Sequence, residues 1–238
     1  MTTSWDDGDP FDLCVAELLA KHGLRGTFYV PQQSAHPTLS CTEIRELAAA
    51  FEVGAHTEHH VDVTTVMDSI ARREIFRSKR WLEETTGREC QAFCFPLGHF
   101  AAKHVEMIRE AGFESARTVE LLSLERPRST NGVALLPTTV QAYPHRRLAY
   151  WRNVAKRRRM TNLPRLFSVG AAKDWADAAI SLLEVARERG GVFHLWGHSR
   201  EIEELGQWRN LERVFAAMKE ASRDAVCVSN SELCHTAH

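Results

Sequence analysis

Apolar and polar positions along the chain follow two periods. Short runs rich in β-branched and aromatic residues, such as GTFYV at Gly26–Val30, alternate with longer helical patterns such as TEIRELAAAF at Thr42–Phe51. The first kind reads as strand and the second as amphipathic helix. Strands are expected at Met1–Trp5, Gly26–Val30, Glu52–Ala55, Ala92–Phe95, Phe113–Thr118, Val133–Val140, Gly191–Trp196 and Ala225–Val228. Helices are expected from Asp9-Pro10 through His22, at Thr42–Phe51, from Met67 to Thr85, at Lys103–Ala111, from Asp174 to Glu188 and near Asn210–Ala221. Pro10 in a first turn, with Gly87 and Gly112 after last turns, mark helix ends.

Repeated strand–helix units imply a mostly parallel sheet with helices outside it, an α/β fold that either closes into a barrel or stays open. After the first strand stands Asp6-Asp7-Gly8-Asp9 in place of a Gly-rich phosphate loop. Acids at a strand's end repel phosphate and suit a metal, which favours a barrel with its site on the C-terminal rim. Residues 123–165 break the rhythm with Pro127, Pro137, Pro144 and Pro164, and are expected to form an irregular basic insertion in an otherwise single 1–238 domain. Within it, eight Lys or Arg fall in the twenty residues from Arg146 to Arg165, including Lys156-Arg157-Arg158-Arg159. This run reads either as a solvated helix face or as a patch for an anionic substrate, partner or membrane surface.

Composition narrows the classes. The 238 residues carry a net charge of −1, with 44% apolar and 26% charged residues, which suits a soluble globular protein and excludes a globally basic nucleic-acid binder. No apolar run approaches the roughly 18 residues of a membrane helix. The opening MTTSWDDGDP lacks the apolar stretch of a signal peptide, so a cytoplasmic protein is expected; only five residues precede Asp6, as in a chain that starts late. Six cysteines without a CxxC pair are expected to be reduced.

Chemistry gathers at a few positions. Asp6 and Asp7, at a strand-to-loop bend, can line one pocket as base and metal ligand; acids before Pro10 also suit a helix N-terminus. His56 and His60 are four apart, so on a helical turn they face one way. Two histidines and a carboxylate make a catalytic zinc set with positions left open. Phe95-Pro96-Leu97-Gly98 forms a loop that can present a backbone N–H. His198 stands just past a strand end and suits a proton donor, whereas His194, Trp196 and His198 share one face and His194 reads as a hydrogen-bonded core residue.

The order TSWDDG, HTEHH, FPLG, DW and a strand ending in histidine resembles the polysaccharide deacetylases of carbohydrate esterase family 4, from residue 2 to about residue 203. The resemblance implies a distorted (β/α) barrel, usually seven-stranded, and metal-dependent removal of N- or O-acetyl groups from sugars. It assigns Asp6 as general base, Asp7, His56 and His60 as metal ligands, and His198 as general acid. It gives Asp174 of Lys173-Asp174-Trp175 the task of orienting His198, a position that with Asp177 reads equally as a helix N-cap. The family's third motif usually reads Arg-x-Pro or Arg-x-x-Pro before an aromatic residue. Here it reads Cys94-Phe95-Pro96-Leu97, so both the arginine and the aromatic are missing, while the Leu97 N–H survives as an oxyanion donor. Zinc is the expected cofactor, with cobalt or nickel as alternatives. The expected partner is an acetylated sugar or glycan precursor, and the basic segment suits one that bears phosphate. Two rival readings stand beside this one: a metal-dependent amidohydrolase for a non-sugar amide, and a non-catalytic carbohydrate-binding barrel.

Overall fold

The computed structural model describes residues 1–157 and 160–235. Arg158 and Arg159 of the basic run lie outside the described residues. β1 (Thr2–Asp6) leads through α1 (Asp12–His22), β2 (Thr27–Val30), α2 (Cys41–Ala50), β3 (Glu52–Ala55), α3 (Asp68–Thr86), β4 (Ala92–Cys94) and α4 (Ala102–Glu110) to β5 (Ser115–Arg117). There follow β6 (Arg128–Thr130), β7 (Val133–Leu136), β8 (Val140–Gln141), α5 (Arg147–Arg157), α6 (Leu166–Ala171) and α7 (Trp175–Arg189). The last elements are β9 (His194–Gly197), α8 (Ser199–Glu204), α9 (Trp208–Ala221) and α10 (Asn230–His235). Ser40 caps α2 in a reciprocal box with Glu43, and Gly87 in the left-handed region ends α3.

Nine strands form one sheet in the order β6-β7-β5-β4-β3-β2-β1-β9-β8. Every pairing is parallel except the β6–β7 hairpin, whose Asn131-Gly132 turn has φ of 49° and 81°. β7 and β8 belong to opposite sides of the sheet, yet only residues 137–139 join them. So short a link reaches about 14 Å at most. The sheet therefore curls until its two sides nearly meet, as a distorted barrel does. The sheet has nine strands where the resemblance implied seven, and three of them, β6, β7 and β8, come from the stretch read as an irregular insertion. The strand expected over Val133–Val140 is cut in two at Pro137, which has no N–H to donate to a ladder. Ala225–Val228 is a loop rather than a strand. β1 is already paired on both sides by β2 and β9, so this segment joins no ladder and meets the residue ahead of β1 instead, through Met1 N–H to Val226 O and Val228 N–H to Met1 O.

Alternation along the strands separates two environments. Outward residues such as Trp5, Phe28 and Phe93 pack under the helices, with Trp5 meeting Phe215 of α9 edge-on at 6.2 Å. The inward set is polar: Thr2, Ser4 and Asp6 of β1, Tyr29 of β2, Arg117 of β5 and His194 of β9 are all buried. Asn230 of α10 closes one end of the interior, donating to the Tyr29 hydroxyl at 2.9 Å and accepting from Thr2 Oγ1 at 2.9 Å. No described helix is long and apolar enough to cross a membrane.

His194 is the hydrogen-bonded core residue that alternation suggested. Its Nδ1–H donates to Pro137 O at 3.0 Å, which leaves Nε2 to accept from Ser4 Oγ at 2.9 Å, so the ring is neutral. Burial, aided by the charge of Arg117, pulls its pKa down to about 3. The unfolded chain takes up this proton near pH 6.5 and the folded one only near 3, so the stability from neutral His194 is complete above about pH 6.5 and is lost as pH falls through that window. Urea titrations between pH 7 and 4 are expected to show His194→Asn losing less stability on acidification than the parent.

Candidate active site

The strands deliver their chemistry at their C-terminal ends, around a cavity of about 500 Å³. Asp6, Asp7, His56, His60, Leu97 and His198 all line it, so the structure brings together six of the seven residues singled out from sequence.

Asp6 is the last residue of β1, and Asp7 follows with φ of 78°. That left-handed turn sends the second carboxylate to the side while the first stays on the barrel axis. Gly8 continues the bend at φ of 61°, and a Cβ there would sit 2.7 Å from Val30 Cγ1. Asp7 Oδ1 lies 3.0 Å from His60 Nε2 and 3.5 Å from His56 Nε2. Burial alone would raise the Asp7 carboxyl, but hydrogen bonds from His56 and His60 and the charge of His198 hold it well below the usual carboxylate range.

The two histidines converge by a different route from the helical turn expected. His56 leaves β3 into a loop in which Thr57 and His60 have φ of 64° and 52°, values no right-handed helix contains. His56 Nδ1–H donates to Cys94 O at 2.8 Å, which turns the bare Nε2 toward Asp7. Two imidazole nitrogens and one carboxylate oxygen within 4.8 Å of one another fit a divalent cation. Asp6, His56 and Cys94 form a second such group, but it suits a cation poorly. Burial keeps the Cys94 thiol protonated, and Asp6 is committed elsewhere.

That commitment is to Arg117, the last residue of β5, whose guanidinium pairs with Asp6 Oδ2 inside the barrel. Arg117 is 1% exposed; burial pulls its pKa down to about 9, which still leaves it charged at neutral pH beside its counter-ion. Trp196 and Tyr29 flank it, with ring centroids 4.4 and 6.0 Å from Cζ. In the β4–β5 register Arg117 stands directly opposite Cys94. The position where the motif would carry arginine holds Cys94, and a guanidinium reaches the aspartate from the adjacent strand instead. Among the described residues Asp6 Oδ1 has no hydrogen-bond partner, and Asp6 lines the cavity.

Asp174 does not join the site. It caps α7, accepting from Asp177 N–H at 2.8 Å, and pairs with Arg213 of α9 at 3.0 Å on the outer helical layer. Glu201, in the first turn of α8, makes the contact that was expected of Asp174: Oε2 accepts from His198 Nδ1–H at 2.8 Å, leaving Nε2 4.0 Å from Asp7 Oδ2. Gln141 of β8 donates to the same Glu201 oxygen at 3.3 Å and accepts from His145 at 2.7 Å. Arg117, Glu201, Gln141 and His145 were all missed. The i, i+3 spacing of His198 and Glu201 was visible, and so was a lone arginine ending a strand, but neither names its partner. Leu97 has φ of 58° in a 3₁₀ turn, and among the described residues its N–H has no acceptor.

Comparison with known proteins follows this geometry. A family model described as polysaccharide deacetylase matches residues 1–116. The fold as a whole is similar to a putative polysaccharide deacetylase from Mycobacterium smegmatis, at 17% identity and TM-score 0.68 over 99% of this chain and 89% of that one. It is also similar to the chitin deacetylase of the fungus Colletotrichum lindemuthianum, at 14% identity and TM-score 0.63 over 98% of this chain and 85% of that one. A family 4 carbohydrate esterase from Streptomyces lividans gives 14% identity and TM-score 0.56 over 94% and 87%. No curated protein matches the chain significantly.

Removing the guanidinium is expected to strand the Asp6 carboxylate. Arg117→Met should cost about 3–5 kcal/mol of unfolding free energy in urea. Asp6→Asn combined with Arg117→Met should recover most of that loss, because an amide facing a thioether needs no ion pair.

Proposed function

We propose that the protein is a metal-dependent deacetylase that hydrolyses N-acetyl or O-acetyl groups of a sugar or glycan precursor. The observation that carries this reading is one cavity holding three separate devices: a cation-ready Asp7-His56-His60 set, an Asp6 fixed by Arg117, and a His198 fixed by Glu201. A binding barrel needs neither of the last two.

The chain's own residues divide the work. Asp6 Oδ1, free of other bonds, takes a proton from a water as the water's oxygen adds to the acetyl carbonyl. The N–H of Leu97 donates to the oxyanion so formed, an interaction of about 3–4 kcal/mol. His198, its Nδ1–H held by Glu201 and a second proton carried on Nε2, gives that Nε2 proton to the departing nitrogen or oxygen; acetate and the free sugar leave, and Asp6 returns its proton to solvent. Asp7, His56 and His60 hold a divalent cation, zinc first and cobalt or nickel as alternatives with the same donors. When bound, it supplies Lewis-acid polarisation and an acidified water. Six free cysteines suit a reducing compartment, and we place the protein in the cytoplasm.

The substrate is further read as phosphate-bearing. A second cleft, of about 700 Å³, shares His145, Ala149 and Asn153 with the catalytic cavity and is lined by Arg146, Arg152 and Lys156 without any acid. Among the described residues these three side chains have no ion pair. Asn153 ties α5 to the rim, accepting from Leu121 N–H at 3.0 Å and donating to Val119 O at 2.9 Å, so the basic helix forms a wall of the site. Guanidinium groups match phosphate oxygens in a fork.

Two outcomes are expected. Asp6→Asn and His198→Ala should each lower kcat for acetate release by about 10²–10⁴ and keep the tightly bound ion in elemental analysis, whereas His56→Ala with His60→Ala should lose that ion. Loss of the ion in Asp6→Asn would exchange the roles of the two aspartates. Separately, kcat/KM should favour a phosphorylated over a neutral N-acetyl sugar. The preference should fade with added salt and shrink by roughly two- to thirtyfold in Arg152→Ala with Lys156→Ala, since each exposed charge contributes about 0.2–1 kcal/mol. Equal rates for both sugars would leave α5 as a solvated face.

A further inference from the structure

The loop that carries His56 and His60 presents a second group of ligating atoms to α3. Glu58 and His59, the residues between the two histidines, meet Glu74 of α3. His59 Nδ1 lies 2.9 Å from Glu74 Oε1 and 3.6 Å from Glu58 Oε2, and one ligating atom from each of the three residues lies within 4.8 Å of the others. Both carboxylates are buried, Glu74 to 3% and Glu58 to 8% exposure. Glu74 is held in place because its other oxygen accepts from His59 N–H at 2.8 Å. Glu58 Oε2 is buried without a hydrogen-bond partner among the described residues.

We propose that Glu58 Oε2, His59 Nδ1 and Glu74 Oε1 bind a second divalent cation of the zinc class. The proposal goes beyond the deacetylase reading, and only the second equivalent counted in the parent draws on that reading's Asp7-His56-His60 site. Ligands about 2.0–2.1 Å from a tetrahedral ion lie roughly 3.3–3.4 Å apart, and the two distances from His59 Nδ1 bracket that value. Charge points the same way. Two buried carboxylates face one imidazole and Arg77, whose side chain is 55% exposed and whose Nη1 reaches only Glu58 Oε1, at 3.4 Å. A proton on His59 satisfies Glu74 and leaves Glu58 Oε2 at 3.6 Å, beyond hydrogen-bonding distance. A dication between the three atoms satisfies both carboxylates. The His59 side chain is 46% exposed, which gives the ion an entry path and a solvent position for its remaining ligand. Bound there, the cation ties the left-handed Thr57–His60 loop to α3 and so positions His56 and His60 without touching substrate.

Zinc counting on the metal-stripped full chain tests this, by equilibrium dialysis at micromolar free Zn²⁺ followed by elemental analysis. The parent is expected to bind two equivalents. Glu58→Gln and His59→Asn should each bind one, and so should His56→Ala with His60→Ala, which loses the other. Binding at this site also stabilises the fold by mass action. Zinc should therefore raise the Tm of the His56→Ala, His60→Ala protein, and adding His59→Asn, a half-exposed change that spares the core, should abolish the rise. A zinc count unchanged from the parent in both Glu58→Gln and His59→Asn, or no zinc-dependent rise in the Tm of the His56→Ala, His60→Ala protein, would overturn the proposal. None of these readouts depends on what the enzyme hydrolyses.

Discussion

The ion pair between Asp6 and Arg117 is the constraint around which the barrel interior is arranged. Taking a carboxylate and a guanidinium out of water costs several kcal/mol each, and only their contact with each other offsets that. The surroundings are fitted to the pair. Trp196 and Tyr29 offer ring faces to the guanidinium, and Gly54 leaves Tyr29 its place, since a Cβ there would fall 2.6 Å from the ring. Because Oδ2 is occupied by Arg117, Asp6 keeps only Oδ1 without a partner among the described residues, in a fixed direction. A base so held is positioned before any substrate arrives, which is where much of a catalytic site's advantage comes from.

The other groups sort themselves around this fixed point. The turn at Asp7 sends the neighbouring carboxylate sideways to His56 and His60, so base and ligand do not compete for one position. His198 enters from the far side of β1, backed by Glu201 and, through it, by Gln141 of β8. The curl of the sheet makes this last contact available: β8 pairs with β9 only because the chain crosses from β7 in three residues. The stretch with the least regular sequence thus supplies the strands that complete the sheet and the helix that walls the pocket.

How much of this the sequence disclosed depended on whether partners were close in the chain. Asp6-Asp7 and His56/His60 are local patterns, and their chemistry was legible even though the His56–His60 geometry is a left-handed loop rather than a helical turn. The βα rhythm likewise placed most strands and helices within a residue or two. Arg117 is the contrasting case. Its meaning lies in a strand register that sets it opposite Cys94, 23 positions earlier, and no local pattern encodes that pairing. Asp174 misled for a related reason. An acid before a helix caps the helix by default, as Asp174 does here. Pro137 was visible, but its effect, ending one strand so that the chain could cross to another, belongs to the whole sheet.

Moving the guanidinium back by one strand tests most directly whether it positions Asp6. Acetate release from an N-acetyl sugar is to be measured for Arg117→Leu and for the same chain with Cys94→Arg added, both checked for folding by circular dichroism. The expected result is that Arg117→Leu loses most of kcat and that Cys94→Arg restores a substantial part of it, since both side chains start from paired positions facing the same carboxylate. Full activity in folded Arg117→Leu would contradict the assignment.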